Sequence, residues 1–423
     1  MKKITRQVAL LFVVATSVFV QQGCKKEVCD NSYPYTYYEP EYKSTAEVRA
    51  NIKSNAPRNI QHPGKIYIKG NYIFLNEVDK GIHVINNSDP ANPVKLAFID
   101  LPGNVDIAVK ENTLYADFYT DLVAMDISNP LDVVVKKFIN NIFPERNYYG
   151  FQKDSLRIIT GWKKKTEIIN VPCSSGRSLF RRGVEFNTMD AGFSSASSSS
   201  ATASPVGISG SMARFSLVNN FLYSVSSDSL RITDVTNAQN PLRVNAIGLG
   251  WGIETLYPFK DKLFIGSNTG MFIYGVQNPL QPVKLGSFTH VRTCDPVIAD
   301  DSIAYVTLHS GSTCAGFTNQ MDVLNISNIM QPLLIKTYPF TNPRGLSKDG
   351  NLLFVCDGDA GLKVLNASNA NAIVLLKSFP MQAANDVIAF NNIALVVAKD
   401  GLYQFDYSNA SEIKLVSKIS VQQ

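Results

Sequence analysis

The sequence predicts an all-β protein made of eight repeated four-stranded units, and three observations support this prediction. One short pattern recurs eight times, its copies are spaced by 40–64 residues with most gaps in the low forties, and each unit contains four short apolar runs. The equivalent positions of the copies are Asn86, Asp126, Asn170, Asp234, Gly275, Asn325, Asn366 and Asp406. Short strands repeating with a period in the low forties are typical of a β-propeller, in which each unit is one blade. The chain is therefore predicted to form an eight-bladed β-propeller of four-stranded antiparallel blades.

The first unit shows how the strands are recognised. Its apolar runs are Ile66–Lys69, Tyr72–Glu77, Gly81–Asn86 and Pro93–Asp100, and they are separated by Gly, Asn, Asp and Pro. Runs of four to eight residues rich in Val, Ile, Leu and Tyr between such turn residues predict an antiparallel meander. The last run, Ile413–Ser420, ends almost at the C terminus. The last blade is therefore expected to pack against the first and close the ring.

The repeat copies, such as LVAMDISNP from Leu122, resemble the LVIVD-repeat family, which is named for the apolar strand before its D-I-S-N-P turn. The segments Pro102–Val109, Gly210–Phe215 and Cys294–Cys314 are similar to segments of secreted or surface lipoproteins of Bacteroidetes-type bacteria. The copy TEIINV at Thr166 departs from the family because its turn motif is missing. The resemblance implies the propeller fold. It implies no reaction, since the family has no established activity.

The N-terminal residues 1–23 are predicted to be a lipoprotein signal peptide. Three basic residues precede the apolar run Val8–Val20, whose 13 residues are too few to span a bilayer. The run is followed by Gln-Gln-Gly and Cys24, so Cys24 is predicted to be the lipidated residue. The alternative is an ordinary signal peptide that leaves Cys24 unmodified. The segment Lys25–Glu27 resembles the export signals of surface lipoproteins. The expected location is the bacterial cell envelope, as an outer-membrane lipoprotein.

Composition and charge limit the classes of partner. Residues 1–23 carry three of the 40 basic residues and none of the 35 acidic ones, so the rest of the chain has 37 basic and 35 acidic residues. Basic and acidic residues are thus nearly equal in number, and the sequence shows no basic stripe of the kind that nucleic-acid binding requires. Residues 24–60 are predicted to form a tether with an extended Tyr-rich spacer, and residues 61–423 the propeller. A Ser-rich insertion interrupts the propeller around residues 190–212, and its low-complexity run Phe193–Ser204 is predicted to be an exposed loop.

Five cysteines remain besides Cys24, and the strand order predicts one disulfide among them. Cys294 precedes the first strand of its unit and Cys314 follows the second, so both are expected at the same rim. Cys356 lies within an apolar strand and is expected to be a small buried residue. Cys29 and Cys173 have no evident partner.

The same strand order predicts a ring of polar residues at the mouth of the central channel. We name the four strands of each blade a, b, c and d from the inside outwards. Residues at the same distance before each a–b turn are expected to lie side by side. Counting back six residues from the second turn residue gives Lys65, Asp106, Tyr148, Arg214, Thr255 (with Glu254 beside it), Asp295, Arg344 and Asp386. This ring is a candidate ligand-binding site, and its alternative is a set of ion pairs that closes the channel.

Other chemistry is sparse in this sequence. The four histidines share no metal-ligand spacing, and neither a cofactor motif nor a nucleophile motif occurs, so no metal and no cofactor are predicted. The preferred interpretation is a noncatalytic binding module whose partner is an unknown envelope ligand or protein. Two alternatives stay open. One is a hydrolase or lyase that uses the acidic and basic residues of the ring, and the other is a purely structural scaffold.

Overall fold

A four-stranded antiparallel sheet repeated seven times makes up most of the structure. The structure is a computed structural model that describes residues 32–144, 157–170, 208–290, 296–311 and 318–422. In each sheet the strands follow one another in chain order and each pairs with the next. The first strands of successive sheets contact one another. Over the described residues the protein is thus a β-propeller with seven blades, and its strands a lie innermost.

The strand bounds follow the chain order. The chain begins with β1 (Ser32–Ser44), α1 (Thr45–Ala50) and β2 (Ser54–Asn55). Blades 1 and 2 are β3 (Pro63–Lys69), β4 (Tyr72–Glu77), β5 (Gly81–Asn86), β6 (Val94–Asp100), and β7 (Ile107–Lys110), β8 (Thr113–Phe118), β9 (Asp121–Asp126), β10 (Val134–Ile139). They are followed by β11 (Arg157–Asn170) and β12 (Ile208–Ser209). Blades 3 and 4 are β13 (Phe215–Val218), β14 (Phe221–Val225), β15 (Ser229–Asp234), β16 (Leu242–Gly248), and β17 (Ile253–Phe259), β18 (Lys262–Ser267), β19 (Gly270–Gly275), β20 (Val283–Thr289). Blades 5 to 7 are β21 (Val297–Ala299), β22 (Ile303–Leu308), β23 (Gln320–Asn325), β24 (Leu333–Pro339), then β25 (Leu346–Asp349), β26 (Leu352–Cys356), β27 (Leu362–Asn366), β28 (Val374–Phe379), and β29 (Asp386–Phe390), β30 (Ile393–Ala398), β31 (Gly401–Asp406), β32 (Lys414–Ser420).

The repeated D-x-S-N pattern forms the turn between strands c and d. In blade 2, the Asp126 carboxylate accepts a hydrogen bond from the Ser128 backbone N–H at 2.9 Å, and the Asn129 side chain accepts one from Leu131 at 3.2 Å. These are two successive turns in which a side chain caps the backbone two residues later, which only short side chains with an acceptor can do. The Ile127 N–H then donates to the Asn112 carbonyl at 2.8 Å. The motif therefore joins the c–d turn to the a–b turn of the same blade.

The bond to the a–b turn recurs in all seven blades. Its acceptors are the backbone carbonyls of Asn71, Asn112, Asn220, Asp261, Ser302, Asn351 and Asn392. This recurrence identifies the equivalent residues of the blades independently of their sequence.

The prediction of eight blades was wrong by one. The degenerate copy at Thr166 lies in β11, which pairs with β1 in a separate two-stranded sheet. Side chains link the two strands: the Tyr37 hydroxyl donates to Glu167 at 2.7 Å, and Lys165 pairs with Glu39 at 2.5 Å. The sequence that follows this copy lacks the D-x-S-N residues that form the c–d turn in blade 2. The Tyr-rich segment, predicted to be an extended spacer, is one strand of this sheet.

The last blade packs against the first, as expected from the sequence. The side-chain amides of Asn87 and Gln404 exchange two hydrogen bonds of 2.9 and 2.7 Å between blades 1 and 7. The Ser417 hydroxyl donates to the Pro90 carbonyl at 2.6 Å. A single apolar cluster contains residues of both blades, among them Ile73 from β4 and the fully buried Ile388 from β29. The ring is closed by packing and hydrogen bonds together.

Blade 1 carries additional strands on both edges. On its outer edge β2 pairs with β6, with Ser54 opposite Ile99. On its inner edge β12 pairs with β3, with Ile208 opposite Ile68 and Ser209 opposite Tyr67. Helix α1, of six residues, starts at a capping box formed by Ser44 and Glu47. No helix in the described ranges is long and apolar enough to cross a membrane.

Candidate functional site

The pairing of strands a and b shows which residues are equivalent around the channel. Counting back six residues from the second a–b turn residue gives Lys65, Asp106, Arg214, Thr255, Pro296, Gly345 and Asp386. Two of these differ from the sequence prediction, because the a–b turns of blades 5 and 6 lie one residue later than predicted. In blade 6 Asp349 pairs with Leu352, which leaves residues 350–351 in the turn.

Four predicted ring residues therefore need separate comment. Arg344 lies one position before the ring, at the start of strand a, and Glu254 occupies the same position in blade 4. Asp295 is at this outer position by sequence, and with Tyr148 it lies outside the described residues. The structure thus separates the predicted ring into a buried layer, in which Arg214 is half-buried, and an outer rim. Thr255 belongs to the buried layer and is 1% exposed.

The first cluster of the buried layer joins blades 1, 2 and 3. The Lys65 ammonium pairs with Oδ2 of Asp106 at 2.6 Å, and the two side chains are only 3% and 2% exposed. The same oxygen accepts a hydrogen bond from the Arg214 backbone N–H at 2.6 Å, and Oδ1 accepts one from Ile107 at 2.8 Å. Burial lowers the pKa of Lys65, and the Asp106 carboxylate opposes that effect. Both oxygens of Asp106 are therefore engaged within the protein.

A second buried carboxylate holds the chain that leads to Asp106. Oδ1 of Asp117 accepts hydrogen bonds from the backbone N–H groups of Val105 and Asp106 at 2.7 and 2.9 Å, and from the Asn104 side chain at 2.7 Å. Asp117 and Asn104 are both fully buried. A carboxylate with several fixed donors favours one backbone conformation. Asp117 therefore positions Asp106 for its contact with Lys65.

Residues Ile208–Arg214, which we call the channel segment, cross the inner strands of the propeller. The segment begins as β12 on blade 1. Further along, the Ala213 carbonyl accepts a hydrogen bond from Leu256 of blade 4 at 2.8 Å, and Arg214 contacts Asp106 of blade 2. Met212 is 1% exposed. The last residues of the predicted Ser-rich insertion, 208–212, belong to this largely buried segment. The run Phe193–Ser204, which was predicted to be an exposed loop, stays a prediction. Residues 190–207 lie outside the described residues.

The second cluster of the buried layer encloses Asp386 between the channel segment and blades 6 and 7. The Ser211 hydroxyl donates to Oδ1 of Asp386 at 3.5 Å and accepts a hydrogen bond from the Leu346 backbone at 2.5 Å. A Cβ atom on Gly210 would lie 2.3 Å from Oδ2 of Asp386, and a Cβ on Gly345 would lie 2.3 Å from Oδ1. Only glycine fits at these two positions while the carboxylate stays in place. Asp386 is 1% exposed.

The outer rim above this cluster contains Arg344, Asn385 and His309. Nη1 of Arg344 donates to Oδ1 of Asn385 in blade 7 at 3.2 Å, and Arg344 acts electrostatically on His309 at the end of β22 in blade 5. Burial, with a smaller effect of Arg344, lowers the pKa of His309 to about 4. The imidazole of His309 is therefore neutral at physiological pH. The guanidinium of Arg344 lies near both neighbouring blades.

Cys356, on the next strand of blade 6, is a free and fully buried thiol, which confirms its expected structural role. Burial raises its pKa well above the ordinary value, so it remains a thiol rather than a nucleophilic thiolate. Within the described residues no three His, Cys, Asp or Glu side chains are grouped to hold a metal ion. The pairing of Cys294 with Cys314 concerns residues outside the described ranges and stays a prediction. Non-reducing peptide mapping tests it directly, and two unbridged thiols in native protein would contradict it.

Sequence reasoning placed Asp106, Lys65 and Asp386 at the channel but missed what covers them. Gly210 and Ser211 come from a segment between two blades, which no repeat position predicts. One signal was available, because GISGSMA is rich in small residues next to a strand start. Small residues permit the close approach of two backbones.

Comparisons with known proteins agree with this architecture. A family model described as LVIVD repeat matches residues 62–98 and 103–138, which correspond to blades 1 and 2. No curated protein matches the chain.

Solved structures are similar in fold but distant in sequence. The computationally designed Ika8 protein has a TM-score of 0.51 and 10% identity, covering 86% of this chain and 90% of its own. A protein from Lactobacillus plantarum has a TM-score of 0.51 and 12% identity, with 78% and 87% covered. Sqt1 of Saccharomyces cerevisiae has a TM-score of 0.50 and 8% identity, with 86% and 87% covered. At such identities the likeness concerns the fold alone. Over its described residues the chain is a seven-bladed β-propeller, and it carries LVIVD repeats.

Proposed function

We propose that this protein is a noncatalytic binding module of the bacterial cell envelope, anchored to the membrane through lipidated Cys24. The observation that carries the proposal is the engagement of the channel charges within the protein itself. Lys65 and Asp106 pair with each other, and Asp386 is covered by the channel segment. A general acid, general base or nucleophile must reach its substrate, which these groups do not.

The hydrolase or lyase alternative receives little support from the other reactive groups. Cys356 is buried with a raised pKa, and His309 is mostly buried with a lowered one. Nδ1 of His309 lies 3.3 Å from the Ser310 carbonyl, an arrangement that favours a proton on that nitrogen. No carboxylate is hydrogen-bonded to His309 among the described residues. Such a histidine lacks the partner that orients a catalytic base.

The scaffold alternative explains the buried layer but leaves the outer rim unexplained. The Lys65–Asp106 pair and the channel segment together close the centre of the propeller, as an ion-pair collar would. Arg344 and Asn385 lie above that layer and are half-buried rather than buried. A ligand would therefore bind at the rim and the surrounding loops, and the channel itself would serve only the fold.

Two experiments test the proposal. Palmitate labelling in the native host should mark the wild-type protein and should not mark Cys24→Ala. For binding, the mature chain with Cys24→Ser is titrated against isolated envelopes in a sedimentation assay. Saturable binding is expected. Binding that rises linearly with envelope concentration would instead favour the purely structural scaffold.

A further inference from the structure

We infer that Arg344 forms an oxyanion-binding site at the outer rim, for a carboxylate or phosphate group of the ligand. The inference rests on the proposed binding function, and it deepens that function by naming the chemistry recognised. Its basis is the geometry of one guanidinium group and the engagement of the groups around it.

The guanidinium of Arg344 has N–H groups that are not hydrogen-bonded to any described residue. Nη1 donates to Asn385, whereas no described residue accepts a hydrogen bond from Nε, which is buried, or from Nη2. Nε and Nη2 point in the same direction on the guanidinium plane. They form the fork that binds two oxygens of a carboxylate or phosphate. Arg344 also makes no ion pair with any described carboxylate, although an unpaired buried donor is costly.

The carboxylates near Arg344 are engaged elsewhere. Asp357, which follows Cys356, is 2% exposed, and its Oδ1 accepts hydrogen bonds from the backbone N–H groups of Thr341 and Asn342 at 2.8 Å each. Asp386 is held by Ser211 below the rim. Glu77, at the end of strand b in blade 1, accepts hydrogen bonds from the backbone N–H groups of residues 61 and 62 in the equivalent loop. An acidic residue at this position therefore serves to hold the loop.

The neighbours of Arg344 suit an anion. His309 is neutral, so it adds no competing positive charge, and Asn385 fixes one side of the guanidinium. Nε has no acceptor among the described residues, so a bound oxygen would satisfy this donor. The gain is a charge-assisted hydrogen bond in place of an unpaired donor.

The test uses the mature chain with Cys24→Ser and follows the Nε–H resonance of Arg344 by NMR. Acetate and inorganic phosphate are the two probes, with chloride at matched ionic strength as the reference. A saturable shift with either probe supports the site, and the stronger probe identifies the oxyanion. No saturable shift with both probes would refute it. An equal shift at the exposed Arg243, on the outer strand β16, would also refute it because the binding would be nonspecific.

Two variants separate this inference from the proposed function. Arg344→Gln removes the charge, and Arg243→Gln makes the same change far from the rim. In the envelope assay, Arg344→Gln is expected to lose about tenfold or more in affinity, with Arg243→Gln unchanged. Saturable envelope binding that Arg344→Gln leaves intact would overturn the oxyanion site and preserve the binding function. An oxyanion shift without any saturable envelope binding would preserve the site and overturn the function.

Discussion

The packing of residues Ile208–Arg214 against the inner strands predicts a strong effect of one methyl group at Gly210. In Gly210→Ala the new Cβ would lie 2.3 Å from Oδ2 and 2.9 Å from Cγ of Asp386. Favourable carbon contacts lie at about 3.5–4.0 Å, so the overlap is on the order of 1 Å. Gly210 is not among the residues with positive φ, and alanine is therefore compatible with its backbone. The predicted effect comes from packing alone.

The expected magnitude follows from how little room Asp386 has to move. Gly345 lies against Oδ1 of Asp386, and a Cβ on Gly345 would lie 2.3 Å from that oxygen. A shift of the carboxylate or of the channel segment would stretch the contacts of Ser211 with Asp386 and Leu346. Overpacking in a close-packed interior costs about 1–3 kcal/mol. Loss of one hydrogen bond adds about 1 kcal/mol. Gly210→Ala should therefore lower the free energy of unfolding by about 2–4 kcal/mol.

The assay is urea denaturation followed by far-ultraviolet circular dichroism, with Gly248→Ala as the matched control. Gly248 ends strand β16, and a Cβ there would meet no atom within 4 Å. The control should be neutral or slightly more stable, because alanine restricts the unfolded chain. If Gly210→Ala unfolds at the same urea concentration as Gly248→Ala, the channel segment does not pack against Asp386 as described.

Two further predictions concern charged groups of the channel. Asp106→Asn leaves the buried Lys65 without its counter-charge and should destabilise the protein by about 3–5 kcal/mol in the same urea assay; adding Lys65→Met should restore most of this loss, and no restoration would mean that the pair is not the cause. As pH falls, the unfolded chain protonates His309 near its ordinary pKa of 6.5 while the folded chain resists until about pH 4, so stability should be lost between these values, by up to about 3 kcal/mol. His309→Gln should remove this part of the pH dependence measured by thermal melts, and the same change at the exposed His62 should not; equal profiles for both variants would contradict the burial of His309.

The sequence was sufficient for the fold because the repeat encodes local hydrogen bonds. Asp126 and Asn129 specify a c–d turn that depends only on residues two positions away. Such local chemistry is visible in any single copy, which is why the strands of blades 1 to 7 were recognisable. The count was wrong where this chemistry was missing. The apolar run at Thr166 resembles a third strand, yet no D-x-S-N motif follows it in the sequence, and it pairs with β1 instead.

The ring was predictable only to within one residue, for a physical reason. Side chains of neighbouring strand residues point to opposite faces, so a one-residue error in an a–b turn moves a side chain to another environment. In blade 6 the turn contains residues 350–351, and Gly345 therefore replaces Arg344 in the buried layer. The sequence DGNL gives no sign of which two residues form the turn. Arg344 therefore lies at the rim, where its guanidinium donates a hydrogen bond to Asn385.

The division between a buried layer and an outer rim explains why the repeat itself predicts no ligand. Residues of the motif, such as Asp126, cap turns on the side of the propeller where strand a ends. The rim lies at the opposite end, where strand a begins, and its residues include Glu254, Arg344 and Asn385 in blades 4, 6 and 7. They differ in charge from blade to blade, while the motif stays nearly constant. Proteins that share this repeat can therefore keep one fold and differ in what they bind, because the residues that form the fold and those at the rim occupy different ends of the same strands.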